Sequence, residues 1–254
     1  MKYSIIISLL LFLVIEGCSS GIDTTNMTGE NRLAYAVKLY DNEDYLEAIN
    51  EFQAILLQYP GSSISDDAQF YLAKTRFART EYILAAFEFS KLIKNMPASE
   101  FVAESQFMLA QCYYELSPNY NLDQKYTKKA IQEFQAFIDF FPTNERVPQA
   151  EKMIDELNNK LAEKDYTIAR IYEKMDYLKA ALIYYEDVIE TYHDTPYAPL
   201  AMYNKINVLI ERNRNTEAIA ETEKFLDRYP DDKNADDVRK IQARLENRLN
   251  PSNG

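Results

Sequence analysis

One histidine, His193, and two cysteines, Cys18 and Cys112, are all that the 254 residues offer of the side chains that most often act as nucleophiles, bases and soft-metal ligands. A single histidine excludes a His-based triad and any multi-histidine metal site. His193 stands beside Asp194 at the end of a helical pattern and reads as a surface residue. Glycine and proline are scarce, at 5 and 9 residues, while 47% of the chain is hydrophobic. That combination suits long helices with few sharp turns. No run of basic residues occurs, and 40 acidic against 28 basic residues leave a net charge of −12. Nucleic acid is thereby excluded as the main partner, as is recognition of an anionic membrane by overall charge, because both reward clustered Lys and Arg. Phosphate loops and nucleophile elbows are absent. The acidic pairs Asp66-Asp67, Asp231-Asp232 and Asp236-Asp237 lie near helix starts, where they complement the helix dipole, and no Gly-punctuated calcium loop accompanies them. We assign no catalytic residue, metal ligand or cofactor.

What is present begins with an apolar run from Ser4 to Ile15 behind Lys2, followed by Glu16-Gly17-Cys18-Ser19. The run is too short for a comfortable permanent membrane span. A small residue and then cysteine directly after such a run resembles the lipobox of bacterial lipoproteins; Gly17 and Cys18 match it, and Glu16 departs from the usual small residue. The resemblance implies that residues 1–17 are a signal peptide, that Cys18 is lipidated, and that Ser19 directs sorting to the outer membrane. Residues 18–29 read as a flexible polar tether. With Cys18 lipidated, Cys112 has no disulfide partner, and its apolar helical surroundings make it a small core residue.

The remainder is organised by a repeat. Ala48, Phe52 and Pro60 define a frame of a small residue, an aromatic four positions on and a proline twelve positions on. It returns at Ala85 with Phe89 and Pro97, at Ala130 with Phe134 and Pro142, and at Ala218 with Thr222 and Pro230. A further copy is read at Ala180, with Tyr184 in the aromatic slot and Tyr192 in place of proline; the five alanines are then 37, 45, 50 and 38 residues apart. Self-similarity at this period predicts stacked helical hairpins, none of which can bury its apolar face alone. Five hairpins can be drawn, with an insertion from Ser117 to Gln124 in the third and a long charged helix from Gln149 running into the fourth. A closing helix, Asp236 to Leu249, carries Val238, Ile241 and Leu245 inward. We expect front repeats one to three over residues 30–145. The linking helix, repeats four and five and the cap fall within 146–250.

The small-x3-aromatic and Ala-x3-aromatic-x7-Pro frames resemble the tetratricopeptide repeat, which implies an all-α, right-handed superhelical solenoid. The more specific stretch is Leu157 to Pro196, with Leu161-Ala162, Ile168-Ala169-Arg170-x-Tyr172, Tyr177-x-x-Ala180-Ala181 and Thr195-Pro196. Together with the lipobox, the order of repeats and the insertion, it resembles the BamD family, the repeat lipoproteins of the β-barrel assembly machine. The resemblance implies a non-catalytic scaffold on the periplasmic face of the outer membrane, attached to the membrane through its lipid anchor only. It further implies contact with the periplasmic domains of the barrel-forming subunit, with other assembly-machine lipoproteins and with unfolded barrel precursors. Helix phase puts Ala34, Tyr71, Lys74, Met108 and Gln111 on the groove side of the front repeats, and Tyr203 and Asn207 on that of the back repeats. Arg170 is a candidate charge contact. Tyr71 and Lys74 suit a peptide with an aromatic end and a carboxylate. Another repeat lipoprotein of the envelope, such as a coordinator of cell-wall synthesis or a secretin pilot, is the alternative.

Overall fold

A computed structural model describes residues 26–249, so the signal segment and Cys18 lie outside the described residues. Among the described residues the chain forms eleven helices. They are α1 (Gly29–Asp41), α2 (Tyr45–Gln58), α3 (Ser65–Ala78), α4 (Tyr82–Asn95), α5 (Val102–Glu115) and α6 (Lys125–Phe140). The back half holds α7 (Val147–Lys174), α8 (Leu178–Thr191), α9 (Tyr197–Glu211), α10 (Asn215–Arg228) and α11 (Ala235–Leu249). Each helix packs on the next, and the first helices of neighbouring hairpins also touch (α1 on α3, α5 on α7, α7 on α9). The result is a stack of five hairpins closed by α11.

The turns explain why the stack is regular. Four hairpins close through three residues, the middle one left-handed: Glu43, Thr80, Asp176 and Asn213, at φ between 57° and 64°. In each, the following N–H reaches back to a carbonyl five residues earlier, as in Asp44 to Leu39 and Tyr177 to Tyr172. This satisfies carbonyls that the helix end would otherwise orphan. Between hairpins, the helix stops on a non-helical residue (Tyr59, Met96, Phe141, Tyr192 or Tyr229) at φ between −122° and −132°. In four of these places the next residue is proline, which disfavours helical geometry in the residue before it.

The left-handed residues correct the frame of the fourth repeat. Ala48, Ala85 and Ala218 each lie five residues after one, and five after Asp176 is Ala181, not Ala180. Ala181 and Tyr185 are fully buried, like Ala48 with Phe52 and Ala85 with Phe89, whereas Ala180 and Tyr184 are partly exposed. The proline slot therefore holds His193, and Tyr192 is equivalent to Tyr59. Two adjacent alanines followed by two adjacent tyrosines fit either phase by spacing alone; burial separates them.

Small residues let backbones approach: Ala36, Ala73, Ala110 and Ala169 on the first helices are wholly buried. Four apolar clusters follow along the stack, the last running from Ala169 to Leu245. The 28-residue α7 contributes Ala150 and Leu157 to the third cluster and Ala169 to the fourth. A polar contact also repeats. Gln69 Nε2 donates to Glu88 Oε2 at 2.8 Å and Gln106 Nε2 to Glu133 Oε2 at 2.9 Å, while Arg32 pairs with Glu51 at 2.5 Å in the equivalent place.

Candidate docking surfaces

The groove positions expected in the front half come together, but in each other's company. Tyr71 stacks on buried Phe52 at 5.9 Å and meets the edge of Tyr40 at 5.7 Å. Lys74 Nζ lies 5.7, 5.2 and 5.5 Å from the rings of Tyr40, Phe70 and Tyr71. The ammonium therefore already rests on aromatic faces within the seam between the first two repeats. Burial, with Asp41, Asp67 and Glu104 nearby, pushes the Tyr71 phenol above its ordinary pKa. Ala34 is exposed, while Met108 and Gln111 are half-buried on α5.

In the back half, Tyr203 and Asn207 sit one turn apart on α9, and the Tyr203 hydroxyl donates to Asp237 Oδ2 at 2.6 Å. That bond, ahead of burial, raises the Tyr203 pKa. It ties the last hairpin to the closing helix. Arg170 lies 3.8 Å from Glu173, which accepts from the hydroxyl of buried Tyr185. Burial first and Glu173 second push the Tyr185 phenol up, so it stays protonated. Arg170 thus belongs to an internal network between α7 and α8. Cys112 is wholly buried, and its thiol is pushed up to about 12 by burial, in keeping with a core role.

Sequence pattern missed a surface at the turn end of the fourth repeat. An open hollow of about 680 Å³ is lined by Tyr172, Asp176, Tyr177, Leu178, Lys179, Ala180 and Arg212. A second, of about 440 Å³, shares Lys179 and Arg212 with it and continues over Leu182, Ile183 and Leu209, with Glu186, Glu217 and Glu221 set against Lys205 and Arg214. Around them Ile171, Met175, Tyr177 and Ile183 are each half exposed or more, an uncommon concentration for one hairpin end. Tyr172 forms the floor, stacked on Tyr184 at 5.5 Å. Lys205, in contrast, is matched by Glu186 and by Glu221 at 2.9 Å. Burial disfavours ionised Glu221, but Lys224 and Lys205 outweigh it and hold the carboxyl below its usual range. Among the described residues no carboxylate pairs with Lys179 or Arg212. Apolar Ile171 and Ile183 beside the Met175-Asp176-Tyr177 turn were the available signal.

The insertion from Ser117 to Gln124 is tied down. Gln124 Nε2 donates to the carbonyls of Asn119, Tyr120 and Leu122 at 2.8, 3.3 and 3.1 Å. Lys160 and Lys164 of α7 reach Ser117 Oγ at 2.8 Å and the Leu122 carbonyl at 2.5 Å. No helix among the described residues is long and apolar enough to cross a membrane.

The described residues thus form a stack of paired helices with an aromatic hollow at the turn end of the fourth hairpin. The chain belongs to the YfiO family, described as outer membrane lipoproteins, whose pattern matches residues 28–216. An outer membrane protein assembly factor BamD from Rickettsia prowazekii is 29% identical over 237 residues, covering 92% of this chain and 94% of that one. A BamD from Caulobacter vibrioides is 30% identical over 107 residues, 42% of this chain and 35% of that one. Among solved structures, the TPR2AB domain of yeast Sti1 in complex with an Hsp90 peptide aligns over 88% of this chain and 84% of its own at 16% identity, with a TM-score of 0.44.

Proposed function

We propose that the chain is a non-catalytic scaffold subunit of the outer-membrane β-barrel assembly machine, held on the periplasmic face by lipid on Cys18. Its back repeats, from residue 146 onward, dock the periplasmic domains of the barrel-forming subunit. The front repeats, residues 30–145, help receive unfolded barrel precursors, and other lipoproteins of the machine attach to the same scaffold. The observation that carries this reading is the hollow between Tyr172, Tyr177, Lys179 and Arg212, framed by exposed Ile183 and Met175. Apolar anchors beside Lys179 and Arg212, which form no ion pair among the described residues, suit a folded partner that offers an apolar knob beside a carboxylate.

Mild-detergent capture of the tagged chain from native outer membrane, with mass spectrometry of what accompanies it, tests the reading. Near-stoichiometric recovery of a large barrel protein with tandem periplasmic domains is expected. An Ile183→Glu, Lys179→Glu variant, altered only at exposed positions, should lose that barrel at least tenfold while keeping its melting temperature. Peptidoglycan enzymes or a secretin in its place would instead assign the chain to a different envelope machine.

A further inference from the structure

The second helix of each hairpin presents one face to solvent, and on α4 three apolar residues cluster at the start of that face. Phe87 is 63% exposed, Ile83 48% and Leu84 47%, at positions i, i+1 and i+4 of one face. The equivalent of Phe87 is Asn50 in the first repeat and Gln132 in the third; the equivalents of Leu84 are Glu47 and Lys129. Packing of the repeat therefore does not require apolar residues at these places. Farther along α4 the exposed residues are Ser90, Lys91 and Lys94. Its one acid, Glu88, is turned inward onto Gln69 and Arg76 and also lies 3.9 Å from Lys91 Nζ, so that Lys94 is the cation of this face with no ion pair among the described residues. An acidic protein thus carries one helix face that is apolar at its start and cationic toward its end.

The chain's own path brings a membrane toward that face. The Tyr59 hydroxyl bonds the Met27 carbonyl at 3.5 Å, which fixes where the N-terminal tether leaves the fold. The turn after α2 borders the turn after α4: Gly61, Ser62 and Asp66 share a hollow of about 380 Å³ with Asn95, Met96 and Pro97. The tether therefore departs beside the Lys94 end of α4. From Asn26 back to Cys18 is eight residue steps, at most about 28 Å of chain. The face itself is about 21 Å long for a 14-residue helix.

We infer that the outward face of α4, Ile83, Leu84 and Phe87 with Lys91 and Lys94, rests on the surface of an anionic phospholipid bilayer as a second membrane contact beside the lipid on Cys18. This rests on the anchoring reading above. The aromatic and aliphatic side chains enter the headgroup boundary, and the lysines meet lipid phosphates. The contact sets the orientation of the scaffold, which a single anchoring point leaves free.

The chain contains no tryptophan, so Phe87→Trp creates a single fluorescent reporter. Ala220→Trp puts the same reporter in the equivalent place of the last repeat. Each full-length lipidated variant is reconstituted into phosphatidylethanolamine–phosphatidylglycerol vesicles with or without brominated acyl chains, and flotation is measured in parallel. Brominated lipid should quench the Phe87→Trp emission about twofold, with a blue shift, and leave Ala220→Trp unchanged. Adding Lys91→Glu and Lys94→Glu should abolish the quenching. Protein that floats with unquenched Phe87→Trp overturns the inference while leaving the anchor intact. Equal quenching of both reporters also overturns it, as unspecific adsorption. Protein that fails to float removes the anchor and the inference with it.

Discussion

Thr80 occupies the left-handed region at φ 58°, where its branched β-carbon is strained, while Asp176 and Asn213 do the same job with residues that tolerate it better. Thr80→Gly should therefore stabilise the fold by about 0.5–1 kcal/mol, read from the urea midpoint at unchanged slope. Glu221 gives the molecule an acid-sensitive point. Its folded pKa lies below the unfolded value, so its stabilisation is complete above the ordinary carboxylate range near 4.3 and disappears as pH falls through the folded value. Glu221→Gln should cost about 1–3 kcal/mol at pH 7 and progressively less as pH falls below the ordinary carboxylate range, measured as melting temperature against pH.

The hairpin is the level at which the repeat phase is decided. Ala181 is enclosed and Ala180 is not, so Ala181→Arg should destabilise by several kcal/mol through overpacking and a buried charge. Ala180→Arg should stay within about 1 kcal/mol. Equal effects in thermal melts would return the frame to Ala180. The insertion teaches the same lesson from the other side. Its length and its turn residues were legible, but Lys160 and Lys164 lie more than 40 positions from Ser117 and Leu122. Nothing in local pattern joins them.

The whole molecule is a chain of neighbour contacts, so its cooperativity depends on elements that belong to two clusters. α7 is the longest of these, and Leu161, buried near its middle, lies between its contributions to the third and fourth clusters. Leu161→Pro removes a helical N–H and costs about 3 kcal/mol or more, enough to uncouple the two halves. Calorimetry should then resolve two transitions in place of one. A single transition at lower temperature would mean that contacts outside α7 hold the halves together.

Hairpin number, helix order, the long seventh helix and the closing helix could all be read from sequence, because each follows from apolar spacing and turn residues within a few tens of positions. Tertiary structure alone assigned Ala181 to the core, set Tyr71 and Lys74 against other aromatic rings, and left Lys179 and Arg212 without an ion pair among the described residues. It also left Phe87 facing outward. Those outcomes depend on which neighbour lies across each helix face, a through-space relation that periodicity along one helix does not contain.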